Sequence, residues 1–86
     1  MRGRELIALN VRRIRVARGL SQERLAYDAG VDRSYLGGVE RAGANPTVDV
    51  LERLAACLGV HIRDLFEPVD VASSSDLSLR RGRRAR

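Results

Sequence analysis

Two segments of helix length, separated by only three residues, constrain this chain more than any other feature of its sequence. Residues 22–29 follow a serine and residues 33–41 follow an aspartate, two residue types that favour the position just before a helix. Between the segments, Gly30 supplies the backbone freedom that a sharp turn requires. The sequence therefore predicts two short helices that cross at a tight turn.

Apolar residues at helical spacing predict further helices on both sides of this pair. Residues 4–18 carry an apolar stripe that stops at a glycine, and a second stripe begins after Thr47 and stops at another glycine. A last segment of one to two turns ends before Pro68. We predict an all-α fold of five helices that forms one domain over residues 4–68.

The end of the chain differs in composition from this predicted domain. Residues 69–86 contain three consecutive serines and five arginines but few apolar side chains. Such a composition predicts a flexible basic tail. The tail either contacts phosphate groups or is a solvated segment that keeps the chain soluble.

The charge of the chain is polarised and is carried by arginine. The net charge is +5, and all 16 basic residues are arginines. Residues 1–41 hold nine arginines against five acidic residues, whereas residues 42–69 hold two against four. Arginine binds phosphate and guanine in a bidentate geometry, although a codon bias would give the same composition. The polarity of the charge favours a nucleic-acid partner.

Several classes of protein are excluded by what the sequence contains. One cysteine, Cys57, and one histidine, His61, form neither a disulfide framework nor a four-ligand zinc site. The residues offer no catalytic grouping, so we expect no enzyme and no cofactor. No apolar run approaches the roughly 20 residues that cross a bilayer, and no signal peptide is evident. We expect a cytoplasmic protein without a membrane partner.

The spacing of the central pair fits a helix-turn-helix, whose second helix enters the DNA major groove, and it also fits other helical hairpins. Residues 6–66 resemble the Cro and phage-repressor type of helix-turn-helix, the xenobiotic-response-element-like family. The motifs that carry the resemblance are Ile14-Arg15, Arg18-Gly19-Leu20-Ser21-Gln22, Leu25-Ala26, Gly30-Val31, Tyr35-Leu36, Val39-Glu40-Arg41, Asn45-Pro46-Thr47, Leu54-Ala55 and Leu58-Gly59-Val60. The resemblance implies a five-helix, lambda-repressor-like domain that regulates transcription from palindromic operators as a homodimer.

The resemblance implies base contacts from the second helix of the pair, the recognition helix. The implied contacts are Asp32, Arg33, Ser34 and Gly38. Arg33 is the first candidate for specificity because its guanidinium can donate two hydrogen bonds to O6 and N7 of guanine. Asp32 caps the helix, accepts from cytosine or orients Arg33, and we favour the cap.

Two neighbouring glycines, Gly37 and Gly38, depart from the family pattern, which places polar or basic residues there. Each glycine weakens the helix interior by roughly 1 kcal/mol relative to alanine. Either the bare surface lets the helix sit deeper in the groove, or these positions make no base contact. In both cases direct readout falls to residues 32–35, and DNA shape supplies part of the specificity.

Phosphate contacts and one structural pair are also implied. The implied phosphate contacts are Gln22, Tyr35, Arg41 and Asn45. For Tyr35, packing against the following loop is the alternative. Arg15 and Glu40 match a pair that orients the recognition helix through a salt bridge. Glu40→Ala is therefore expected to have a larger effect on DNA affinity than on the melting temperature.

Other side chains are predicted to make no direct contact with DNA. We predict that Tyr27 is partly buried and that Cys57 is a small core residue. The basic residues Arg12, Arg13 and Arg18 are predicted to form a solvated face that attracts DNA at long range.

A homodimer is expected because one recognition helix covers too little DNA for a tight specific site. Ile62, Leu65 and Phe66 are the predicted dimer interface. Restriction-modification controllers and antitoxins are both relatives of this length. The alternative function is an antitoxin or adaptor that acts mainly through a protein partner, with DNA binding secondary.

Overall fold

The computed structural model describes residues 2–69, which form four α-helices and one short 3-10 helix without a strand. The α-helices are α1 (Gly3–Ala17), α2 (Gln22–Ala29), α3 (Arg33–Glu40) and α4 (Val48–Leu58), and the 3-10 helix spans Ile62–Phe66. The all-α prediction is confirmed. The fifth predicted helix is a 3-10 turn, and residues 70–86 of the predicted tail lie outside the described residues.

The ends of α2 and α4 are fixed by residues that the sequence makes recognisable. The hydroxyls of Ser21 and Thr47 accept backbone N–H groups of the first turns at 2.9 and 3.1 Å. Gly30 and Gly59 end the same helices in the left-handed conformation, with φ of 72° and 74°. Both helices therefore have the predicted length.

The last segment is a 3-10 helix because both of its ends are constrained. The Asp64 carboxylate accepts the His61 N–H at 3.0 Å, and the His61 ring nitrogen Nδ1 accepts the Arg63 N–H at 3.0 Å. Pro68 follows two residues after Phe66 and disfavours a helical continuation. Only five residues remain between these constraints.

One hydrophobic core joins all five elements and leaves one side of α3 uncovered. The largest fully buried apolar side chains are Leu25, Leu36, Leu54, Leu58, Leu65, Val11 and Val39. Leu36 and Val39 attach α3 to this core, while Arg33 and Ser34 at its start are exposed. None of the helices in residues 2–69 is long and apolar enough to cross a bilayer.

Asn10 on α1 is fully buried and holds the 3-10 helix. Its amide Nδ2 donates to the carbonyls of Leu6, Leu65 and Glu67 at 2.9, 3.1 and 2.8 Å. Its Oδ1 accepts from Arg13 at 2.8 Å. Arg13 is therefore exposed but bonded, rather than purely solvated as predicted.

Arg18 caps the end of α4. Its Nε donates to the Leu58 carbonyl at 2.8 Å, a carbonyl that the helix itself leaves without a partner. The guanidinium charge also lies at the negative end of the helix dipole. The prediction that Arg18 only forms a solvated face was wrong.

Candidate nucleic-acid interface

The turn between α2 and α3 holds the two helices in a fixed crossing. After Gly30, the backbone N–H of Val31 donates to the Ala26 carbonyl at 2.9 Å and closes the end of α2. Ala26 itself is 2% exposed, which shows that a small side chain lies in the buried face of α2. The chain then enters α3 at Arg33, so the start of α3 lies directly beside the turn.

Asp32 occupies the position before α3 without capping it through its side chain. Its carbonyl accepts the Leu36 N–H at 3.0 Å, but within residues 2–69 the carboxylate makes no capping hydrogen bond. The favoured prediction of a side-chain cap was therefore wrong. The carboxylate is exposed beside Arg33, which leaves the other two roles, accepting from cytosine and orienting Arg33.

Behind α3, Glu40 is held by a forked ion pair with Arg15 from α1. Arg15 Nε lies 2.7 Å from Oε2, and its second terminal nitrogen lies 3.1 Å from Oε1. The remaining Arg15 nitrogen donates to the Leu20 carbonyl at 2.7 Å. The two side chains are 12% and 3% exposed. The contact that the resemblance implies is thus present, and it joins α1 to the end of α3.

Gln22, the first residue of α2, belongs to the same group. Its Nε2 donates to Oε1 of Glu40 at 2.9 Å, so α2 is tied to α3 through the carboxylate that α1 also holds. The prediction gave the Gln22 amide to a phosphate, whereas the structure uses it inside the protein. At the start of α2 the Arg24 N–H is bonded to the Ser21 hydroxyl, while the N–H groups of Gln22 and Glu23 have no partner within the helix.

The two glycines of α3 have different surroundings. A Cβ built on Gly37 would lie 3.0 Å from Nη1 of Arg41, and one on Gly38 would lie 3.7 Å from the Ala44 Cβ. The Gly38 carbonyl also accepts the Gly43 N–H at 2.8 Å. Gly38 therefore packs on the loop after α3 with its carbonyl engaged, and a base contact of its bare surface stays a prediction.

The two tyrosines differ in exposure, and only Tyr27 departs from its prediction. Tyr35 is half-buried and packs against the core, while Tyr27 is 80% exposed. The prediction that Tyr27 is partly buried was wrong, because smaller residues of α2 fill its core-facing side. Both tyrosines line one shallow cavity with Asp32 at the turn.

Asn45, a predicted phosphate contact, is exposed in the loop between α3 and α4. It shares a shallow groove with Arg2 and Arg4 from the start of α1. The sequence analysis missed these two arginines, since nothing in their local pattern brings them to the loop. Their charges add to the basic side of the molecule.

The predicted dimer residues fall into different environments. Phe66 is 42% exposed and Ile62 is half-buried, so both have surface that a partner could cover. Leu65 is fully buried in the core of its own chain. The prediction was wrong for Leu65, because a side chain without exposed surface cannot bury area against a second copy.

Cys57 on α4 is a free, half-buried thiol. Partial burial, and secondarily the charge of Asp28, raises the pKa of Cys57 above its usual value, so the thiol stays protonated at neutral pH. No group of three histidine, cysteine or acidic residues within residues 2–69 could hold a metal ion.

Two short helices crossing at a glycine turn, with a buried ion pair behind the second helix and arginine at its exposed start, define a helix-turn-helix domain. The family model described as helix-turn-helix matches residues 11–65. The chain belongs to this family.

Its relatives are regulators and control proteins. The chain is 43% identical over 65 residues to a hypothetical transcription factor of Neisseria meningitidis, covering 76% of this chain and 61% of that protein. It is 42% identical over 63 residues to the control protein C.SmaI of Serratia marcescens, covering 73% and 75%. The chain thus spans less than two thirds of the Neisseria protein but most of the control protein.

Solved structures show the same fold. The restriction-modification controller protein C.AhdI of Aeromonas hydrophila superposes with a TM-score of 0.71 at 43% identity, covering 73% of this chain and 96% of that one. The hypothetical transcription factor NHTF from Neisseria superposes with a TM-score of 0.75 at 39% identity, covering 83% of this chain and 80% of that one.

Proposed function

We propose that this chain is a sequence-specific DNA-binding regulator of transcription that places α3 in the major groove. The observation that carries the proposal is the arrangement of α3: its exposed start presents Arg33, while its buried side is fixed to α1 and α2 through Glu40. A helix held in this way can direct a guanidinium at a base edge with little loss of entropy on binding. The control proteins and transcription factors among its relatives support this function.

Contacts to DNA are assigned by what each group can offer. Arg33 and Ser34 read bases, and the free carboxylate of Asp32 accepts from cytosine or orients Arg33. The backbone at Gln22 and the side chains of Tyr35 and Asn45 bind phosphates, together with the helix dipole of α2. These contacts position α3 and give affinity, while Arg33 gives specificity.

A homodimer on a palindromic operator completes the proposal. One α3 reads one half-site, and two copies give the footprint that tight specific binding requires. The exposed part of Phe66, with Ile62 beside it, is the proposed contact between copies. Residues 4–68 form the DNA-binding domain, and the five arginines of residues 69–86 add phosphate contacts.

Arg33→Ala is expected to remove a guanine from the recognised sequence. Selecting bound duplexes from a random library at about 150 mM salt should enrich a palindrome with guanine in each half-site for the original chain. The variant should bind that palindrome about 5- to 150-fold more weakly, the effect of one lost bidentate pair. Arg53→Ala is the matched control, since Arg53 is an exposed arginine on α4.

Two other outcomes would contradict the proposal. Enrichment of no sequence, with binding that disappears as salt rises, would mean that the protein coats DNA without reading it. A second protein that copurifies, and whose activity the chain neutralises without DNA, would favour the antitoxin or adaptor alternative.

A further inference from the structure

The outer side of α3 has an unusual row of residues. Arg33, Gly37 and Arg41 follow one another at intervals of four, so they lie along one side of the helix. The middle member of this row has no side chain. The row therefore has an arginine at each end and, at Gly37, a space that no side chain of that residue fills.

The guanidinium of Arg41 occupies that room. A Cβ on Gly37 would lie 3.0 Å from Nη1 and 3.9 Å from Cζ of Arg41, and 3.9 Å from Oε1 of Gln22. Side chains on a helix lean toward its N-terminus, so Arg41 runs back along the row and over Gly37. Gly37 is buried, and the side chains of Arg41 and Gln22 are the ones that a Cβ there would meet.

Arg41 is also available to bind. Within residues 2–69 its guanidinium takes part in neither ion pair, and it makes no side-chain hydrogen bond. Neighbouring Glu40 is bonded to Arg15 and Gln22, and within residues 2–69 it forms no ion pair with Arg41.

We infer that Arg41 reads a base, and that Gly37 allows it to do so. When α3 lies in the major groove, the middle of its outer side faces base edges, whereas phosphates line the rims of the groove. A guanidinium over Gly37 presents two parallel donors there, which fit O6 and N7 of guanine. This base contact replaces the phosphate contact predicted from the sequence, and it rests on the proposed function.

The inference gives Arg33 and Arg41 separate guanines in each half-site. Their guanidinium groups are presented from different turns of α3, so one base cannot satisfy both. The two glycines weaken α3 as a helix, but they remove the side chains that would otherwise stand between Arg41 and the bases.

The test is library selection and titration with Arg41→Lys, Arg41→Ala and Gly37→Ala, and with Arg53→Ala as the control. Lysine keeps the charge but not the two parallel N–H donors of the guanidinium. Arg41→Lys should therefore reduce the preference for guanine over other bases by about 5- to 150-fold at one position, distinct from the Arg33 position. Its binding to unrelated duplexes and its salt dependence should stay unchanged.

Gly37→Ala distinguishes base reading by Arg41 from an indirect effect of the variants on folding. The new methyl group would lie 3.0 Å from Nη1 of Arg41, so the guanidinium must shift and the same guanine preference should weaken, although the helix becomes more stable. Its Tm should rise by about 2–8 °C. A loss of specificity with a gain of stability cannot result from misfolding.

Other outcomes would overturn the inference. If Arg41→Ala weakens binding to all sequences equally and lowers the salt slope by about 0.9, Arg41 binds phosphate and the proposed function stands. If Gly37→Ala keeps full discrimination, Gly37 does not control Arg41. If the original chain enriches no sequence, the proposed function itself fails.

Discussion

Glu40→Ala is expected to lower the free energy of unfolding by about 3–5 kcal/mol, the typical cost of removing one partner of a buried ion pair. The substitution leaves the guanidinium of Arg15, which is 12% exposed, without its counter-charge. It also removes the acceptor of the Gln22 amide. Because the carboxylate is only 3% exposed, we expect a larger loss of Tm than the sequence suggested, together with lost DNA affinity. Urea unfolding and operator titration measure the two effects.

The double variant Arg15→Met, Glu40→Leu separates stability from the aim of α3. Apolar residues of similar volume often replace a buried ion pair without loss of stability, so its unfolding free energy should return close to the original value. Its operator affinity should remain reduced, because Gln22 loses its acceptor and α2 is no longer tied to α3. If the double variant binds like the original chain, the pair serves stability alone and does not aim the helix.

The exposed pair Arg24–Asp28 is the matched control for this experiment. Its side chains are 64% and 33% exposed, and its nitrogen–oxygen distance is 3.1 Å. Exposed pairs contribute about 0–1 kcal/mol, so Arg24→Ala should change stability little. The contrast would show that burial, and not the presence of a pair, determines the cost.

Helix ends were predictable because their causes are local. Ser21 and Thr47 each bond to an N–H three residues later, and Gly30 and Gly59 each end the helix that immediately precedes them. A sequence window of a few residues contains all of this information. The Arg15–Glu40 pair spans 25 residues and was predictable only through the family resemblance.

Contacts across the fold were missed for the same physical reason. Arg18 reaches a carbonyl 40 residues away, and Asn10 reaches carbonyls 55 and 57 residues away, so no local pattern contains them. One signal for Asn10 does exist in the sequence. It is a polar residue between Ile7 and Val11 on the apolar side of α1, and a buried amide needs hydrogen-bond partners.

Arg41 shows a different limit. The sequence reveals two glycines in α3, but it does not reveal whether their bare surface is empty or occupied. The answer depends on the conformation of the Arg41 side chain at the end of the helix. Gly37 leaves space for its guanidinium, and Glu40 is bonded to Arg15 instead. The exposed arginine at the helix start could be predicted from the sequence, whereas the position of the Arg41 guanidinium over Gly37 could not.

Asn10→Ala is expected to lower the free energy of unfolding by about 2–5 kcal/mol. The carbonyls of Leu65 and Glu67 lose their donor, at about 1–3 kcal/mol for each unsatisfied buried group. The carbonyl of Leu6 sits inside α1 and is affected less. Since small domains are stable by about 5–15 kcal/mol, this is a large fraction of the total. Urea unfolding at pH 7 measures it.

Two further variants identify the amide hydrogens as the cause. Asn10→Asp keeps the size and the oxygen that faces Arg13, but it cannot donate to the three carbonyls, so it should be destabilised as strongly as the alanine variant. Arg13→Ala removes only the donor to Oδ1 and should cost about 1 kcal/mol or less. A stable Asn10→Asp would show that shape, and not donation, holds the 3-10 helix.

The same variant links the core to the proposed dimer. Asn10 fixes the backbone on both sides of Phe66, the exposed residue of the proposed contact between copies. Even where Asn10→Ala remains folded, loosening this segment should weaken self-association more than it weakens binding of one copy to a half-site duplex. Sedimentation of the protein alone and titration of a half-site duplex measure the two quantities. An unchanged dimer constant in a destabilised Asn10→Ala chain would place the interface elsewhere on the molecule.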